Sequence, residues 1–241
     1  MMRLEKTYVQ TQIGSLLIRI QQLQWLIEHN VKAEKVANFG CNIGGETLAL
    51  MWTLGASEAI GIDIDRNNIQ QAQSTLVSMQ DEMIRIWRML SCYPNEITPD
   101  DKAWWNNEVP DFIKKAMLQK RANVTYLVND ITQATELPQD YYDIAFCDFV
   151  LHHIWYSDKR KDAEGDTQFA VKEMARVVKA GGTVATRELL QFSDKPKLDF
   201  EKLFEKAGLR MLHKNEFEVD GLQGHGIVAE YICKKPDTVS D

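Results

Sequence analysis

The stretch Asn38-Phe39-Gly40-Cys41-Asn42-Ile43-Gly44-Gly45 places glycines where an apolar run meets a helix-forming one, and the acid Asp63 closes the next apolar run. Glycine at a strand-to-helix turn allows positive φ and close ligand approach, and an acid roughly 20 residues further on can accept hydrogen bonds from ribose hydroxyls. This is chemistry for holding a nucleoside. A dinucleotide would require G-x-G-x-x-G, whose middle glycine lets a pyrophosphate reach the helix N-terminus. Asn42 stands at that position, and its side chain should obstruct the approach. A nucleoside without phosphate tolerates it.

A second group of residues could act on whatever lies beside that nucleoside. His152 and His153 are adjacent imidazoles that titrate near working pH, and His153 is the preferred general base, with His152 as an acceptor contact. Asp148 and Glu188 end apolar runs and could touch cofactor or acceptor; the plainer readings are a loop cap and a surface ion pair with Arg187. Trp87, Tyr93, Trp104, Trp105, Trp155 and Tyr156 could cover a cationic ligand through cation–π attraction, or could simply bury local core. Cys41, Cys92, Cys147 and Cys233 form no C-x-x-C pair, so no metal site is expected.

Positioning these groups requires alternating strands and helices. Short β-type runs occur at Lys35–Phe39, Ala59–Asp63, Val124–Val128, Asp143–Cys147 and Thr183–Thr186. Helical patterns fall between them at about 46–54, 65–76 and 169–178. Such alternation implies a parallel sheet. Leu209–His213 and Gly226–Cys233, joined through a Gly-rich turn at 220–226, predict an antiparallel hairpin at one edge. Ile13, Leu16, Leu17, Ile20 and Leu23 predict an amphipathic N-terminal helix over about 11–29. A segment over about 79–122 breaks the alternation and reads as a helical insertion whose acids and bases cancel. The whole chain, 1–241, is expected to form a single domain.

Hydrophobic residues at 44% and charged residues at 26% are those of an ordinary globular protein. A net charge of −7 disfavours nucleic acid as a partner. No apolar run approaches the ~18 residues of a membrane span, so no membrane partner is expected. The N-terminal residues carry charges and glutamines where a secretory leader is apolar, and a cytoplasmic location is expected. The sequence specifies no oligomeric state.

The turn and its neighbours resemble the class I S-adenosylmethionine-dependent methyltransferases. Gly40 and Gly44 match the family's acid-x-G-x-G-x-G motif, with Asn38 in place of the acid and Asn42 in place of the middle glycine. Gly61-Ile-Asp63-Ile-Asp65 resembles the second strand, whose acid grips the ribose, and Asn129-Asp130-Ile131 resembles the adenine-edge motif. Leu137-Pro-Gln-Asp-Tyr-Tyr-Asp143, continuing to His153, is similar to the stretch around strand four, and Glu173 to Gly182 to the segment before strand five. The resemblance implies a doubly wound, Rossmann-like α/β sheet of seven strands in the order 3-2-1-4-5-7-6, with strand seven antiparallel. It implies S-adenosylmethionine as cofactor, held by Asn38, Gly40, Asn42, Gly44, Asp63, Ile64, Asp130, Ile131 and Asp148. It further implies methyl transfer by in-line displacement to a small-molecule O, N or C nucleophile, with His153 and Asp148 as catalytic candidates. Substrate contacts are expected from His152, Trp104, Trp105, Trp155, Tyr156 and Glu188. A macromolecular methyltransferase and a non-catalytic cofactor-binding protein are the alternatives.

Overall fold

In the computed structural model, the described residues are 15–76 except 17, 123–192, 197–221 and 224–237, with the isolated positions 92, 99, 103, 106, 107 and 111. The expected insertion, with Trp87, Tyr93, Trp104 and Trp105, and the start of the expected N-terminal helix therefore lie outside the described residues.

Apolar runs buried on both faces make parallel strands. Here they are β1 (Lys35–Phe39), β2 (Glu58–Asp63), β3 (Asn123–Val128), β4 (Tyr142–Asp148) and β5 (Val178–Phe192), followed by β6 (Arg210–Gly221) and β7 (Gly224–Lys234). They form one sheet in the order β3-β2-β1-β4-β5-β7-β6. β1 to β5 pair in parallel, and β7 runs antiparallel to both β5 and β6. The architecture is the one expected. Two strands, β5 and β6, run well past their apolar runs. β5 begins at Val178 because Gly181, at φ 69°, carries the chain through a register shift against β4. β6 continues to Gly221 because a sheet edge tolerates polar residues, and 214–218 are exposed.

The helices are α1 (Gln24–Glu28), α2 (Gly45–Leu54), α3 (66–76), α4 (Leu151–Trp155), α5 (Ala163–Val177) and α6 (Phe200–Lys206). They cover both faces, and β4 shows why. Its side chains alternate with period two: Ile144 and Phe146 pack with Leu16, Leu23, Trp25, Leu26 and Leu50, while Ala145 and Cys147 pack with Val171, Met174 and Leu203. The N-terminal helical residues turn at Leu23 before α1, and Asn30 at φ 56° ends that helix in the left-handed region. At the start of α5 the Asp162 carboxylate accepts a 2.9 Å hydrogen bond from the Gly165 N–H, satisfying a donor that no helical carbonyl reaches.

Candidate functional site

β1 leads to β2 on one side and lies beside β4 on the other, so the connections diverge at its carboxyl end, where open α/β sheets bind ligands. A crevice of about 480 Å³ lies there, within the range typical of small-ligand sites.

The floor is the turn after β1. The Gly40 and Cys41 N–H groups both donate to the Ile62 carbonyl, at 2.7 and 2.8 Å, which draws the turn towards β2. Gly40 sits at φ 75°, and a Cβ there would lie 2.2 Å from Val150 Cγ2. The loop after β4 can pack on the turn only because no side chain intervenes. Asn42 holds φ 49°, a conformation asparagine tolerates better than other side chains. Its N–H donates at 2.9 Å to Asp63 Oδ2. The substitution that breaks the glycine pattern thus preserves the turn's backbone.

Asp63 ends β2 on the crevice wall. Beside its bond to Asn42 it accepts from the Asp65 N–H at 2.9 Å and from Asn68 Nδ2 at 3.3 Å, all of which fix the carboxylate. A carboxylate has about four lone-pair sites, so capacity remains for a ligand hydroxyl. Ile64, 61% exposed, presents an apolar surface beside it, and Ile131 lies buried across the crevice. Asp130 turns its own loop by accepting from the Thr132 N–H and Oγ1, at 2.9 and 2.8 Å. Arg160, held by Thr132 Oγ1 and Asp166 at 2.9 and 2.8 Å, stands 3.8 Å from Asp130. One end of the crevice is therefore an acid, two isoleucines and a second acid, the complement of a ribose and a flat heterocycle.

At the other end, Glu46 from the first turn of α2 and Asp148 at the end of β4 line the crevice. Arg187 grips Asp148 with a two-pronged guanidinium contact, Nε at 2.8 Å and Nη2 at 2.6 Å, and its Nη1 donates to the Gln22 carbonyl at 3.1 Å. Burial pushes the Glu46 carboxyl well above the ordinary range, and the facing Asp148 adds to the shift against Arg19 and Arg187. Arg19 enters the wall from the N-terminal helical residues.

His153 and Phe149 complete the wall. Partial burial lowers the His153 pKa from 6.5, and His152 lowers it further against the opposing effect of Glu188. His152 does not face the crevice; it is 6% exposed and its Nδ1 lies 2.8 Å from Glu188. Glu188 is fully buried rather than part of a surface pair. It accepts from the N–H groups of Val150, Leu151 and His152 at 3.0–3.2 Å, and so anchors the start of α4. Arg187 pairs with Asp148 instead.

Other expected residues also lie off the wall. Asn38 is buried within β1 and donates to Thr47 Oγ1 at 3.0 Å. Gly44 packs under Tyr126, whose hydroxyl donates to its carbonyl at 2.9 Å. Trp155 packs against the main core, and the Tyr156 hydroxyl donates to the Leu190 carbonyl at 3.0 Å. Arg19, Glu46, Phe149 and Arg160 were absent from the sequence-derived set. Only Glu46 carried a local signal, as an acid in the first turn of the helix that follows the glycine turn.

The Glu173 and Arg176 spacing is structural. Arg176 spans both Glu173 oxygens at 2.7 Å and donates to the Leu137 carbonyl at 2.8 Å, while Glu173 accepts from the Thr135 N–H at 2.8 Å. The pair ties α5 to the loop that leads into β4.

The donor set suits a phosphate-free nucleoside. The Asp63 carboxylate on the wall would repel a pyrophosphate, whereas it complements ribose hydroxyls. Among the described residues no cluster of His, Cys, Asp or Glu is placed to hold a metal ion, and no helix is long and apolar enough to cross a membrane.

Comparison with known proteins agrees. The family model described as a methyltransferase domain matches residues 107–186. A solved S-adenosylmethionine-dependent methyltransferase from Methanosarcina mazei is similar over 88% of this chain and 97% of its own, at 15% identity and a TM-score of 0.56. Magnesium protoporphyrin IX methyltransferase from Synechocystis, solved with bound S-adenosylmethionine, covers 95% of this chain and 86% of its own, at 16% identity and a TM-score of 0.50. Haemonchus contortus phosphoethanolamine N-methyltransferase 2 is similar over 90% of this chain and 53% of its own, at 12% identity and a TM-score of 0.54. No curated protein sequence matches the chain. The likeness to these structures is one of fold. With the sheet order it gives the chain the Rossmann-like methyltransferase fold, and the domain match covers residues 107–186 of 241. The matched segment is a methyltransferase domain, which makes the protein an enzyme, with S-adenosylmethionine as its cofactor.

Proposed function

We propose that this enzyme methylates a small-molecule O, N or C nucleophile, with the nucleoside of the cofactor lying along Asp63, Ile64, Asp130 and Ile131. The observation that carries this reading is the crevice itself: a wall of acids, isoleucines, one imidazole and two arginines, Arg19 and Arg160, in a chain of net charge −7. A nucleic-acid acceptor would call for a basic surface. The names of two proteins of the same fold specify small acceptors, a magnesium porphyrin and phosphomonomethylethanolamine, in keeping with this reading.

When bound, the cofactor supplies an electrophilic methyl group on a sulfonium. What the chain must add is alignment of the acceptor with that methyl, worth roughly 7–11 kcal/mol when orientation is fixed. His153, on the wall and biased towards its neutral form, takes the acceptor's proton where the acceptor is a phenol, alcohol or ammonium. Asp148, locked by Arg187, serves to orient the bound ligand.

The test is incubation of the purified protein with methyl-labelled cofactor and a cell extract separated into metabolite, RNA and protein fractions. Label is expected in a metabolite that gains one methylene in mass. Label confined to RNA or protein would overturn the small-molecule reading.

A further inference from the structure

The two histidines of α4 stack on each other. Their ring centroids lie 4.1 Å apart with the planes tilted by 38°, and Phe149 meets His152 edge-on at 5.9 Å. His152 is buried, and its Nδ1 lies 2.8 Å from Glu188 Oε2. Glu188 also accepts from the N–H groups of Val150, Leu151 and His152 and from Thr186 Oγ1, which fills the lone-pair sites of a carboxylate. It has no proton to give, so His152 Nδ1 is the donor, and a neutral His152 keeps its proton there and leaves Nε2 bare. The backbone N–H groups alone would anchor the start of α4. An imidazole in the same network, in face contact with the imidazole on the crevice wall, is more than a helix start requires.

The charged groups around the pair are Glu188 of β5, bonded to His152, and those that share the crevice wall with His153: Glu46 of α2, Asp148 of β4, Arg19 and Arg160. Arg187 is held by Asp148. We propose that Glu188 and His152 are positioning residues for His153: the buried carboxylate fixes the His152 ring with its proton on Nδ1, and the negative charge the two hold together favours the imidazolium that forms on His153. This rests on His153 being the base proposed above. In that step an N–H bond forms on the His153 ring as the acceptor's O–H or N–H bond breaks. The acceptor's electron pair takes the methyl group, whose old bond leaves its electrons on sulfur, and the proton later passes from His153 to solvent. His152 and Glu188 exchange none. Without the carboxylate, a proton arriving on one of two stacked rings would find no counter-charge behind it.

Magnetic resonance of protein labelled with nitrogen-15 in its five histidines reads both rings directly. In the wild type at about pH 8 the His152 proton should be found on Nδ1, and His153 should titrate below 6.5. Glu188→Gln keeps the shape and removes the charge. In that variant the His152 proton should shift at least partly to Nε2, and the His153 midpoint should fall further, by about half a pH unit or more. Glu188→Asp, which keeps the charge, should hold His153 nearer to its wild-type midpoint. A purely structural Glu188 predicts the opposite sign, because a loosened α4 admits water and returns His153 towards 6.5. A wild-type His152 proton on Nε2 would overturn the proposal and needs no variant to fold. A His153 midpoint in Glu188→Gln equal to or above that of the wild type would overturn it as well. Neither readout uses an acceptor, so a pH–rate profile unchanged by His153→Gln would overturn the base assignment separately.

Discussion

His153 differs from its neighbour in which way its ring points. Its pKa is lowered first by burial and then by His152, so the folded protein holds the neutral imidazole to lower pH than a free histidine would. If it is the base, kcat/KM should rise with pH through a point below 6.5 and then level off, because activity requires the deprotonated form. His153→Gln should abolish that acid limb and lower the rate by about 10²–10⁴-fold. A pH–rate profile identical in shape for the variant would remove His153 from the reaction. The sequence presented the two histidines as equals. Successive helical residues point about 100° apart, so only the placement of α4 assigns one to the crevice and the other to Glu188.

At the scale of elements, the site depends on how short segments are stapled together. α4 has five residues and begins at a loop in which Phe149 holds φ 55°. Its first N–H groups find their acceptor in Glu188 of β5, far along the chain. Glu188→Ala should therefore destabilise the fold by about 3–5 kcal/mol, the scale for removing one partner of a buried ionic network. Urea unfolding measures it, with Glu188→Gln retaining part of the lost stability. A loss below about 1 kcal/mol would show that solvent or other groups satisfy these donors. This staple was not legible in the sequence, because Glu188 reads locally as a strand-end acid beside Arg187. The strands and the glycine turn were legible, since period-two burial and positive φ are properties of consecutive residues. Arg19, Glu46 and Arg160 were not, because each reaches the crevice from a different element and gains its meaning only from what stands opposite. The ends of β5 and β6 were missed for a related reason: a bulge and a solvent-facing edge remove the apolar pattern without ending the pairing.

At the scale of the whole molecule, the sheet places the carboxyl ends of β1, β2 and β4 together, and two chemically distinct ends of one crevice follow from that. The Asp63 end sets a carboxylate beside two isoleucines, and the other end sets Glu46 and Asp148 beside Arg19 and Arg187. The topology opens a crevice at the usual place for open α/β sheets, and the side chains on the wall decide what binds there. The account stands on the occupant of this crevice being S-adenosylmethionine. Its most direct test is calorimetric titration of the purified protein with S-adenosylhomocysteine, alongside a nicotinamide dinucleotide. The account predicts saturable binding of one S-adenosylhomocysteine per chain, weakened by roughly 1.5–3 kcal/mol in Asp63→Ala, the scale of a hydrogen bond to a charged group, and no binding of the dinucleotide. Binding of the dinucleotide in place of the nucleoside, or affinity for S-adenosylhomocysteine unaltered by loss of the Asp63 carboxylate, would contradict it.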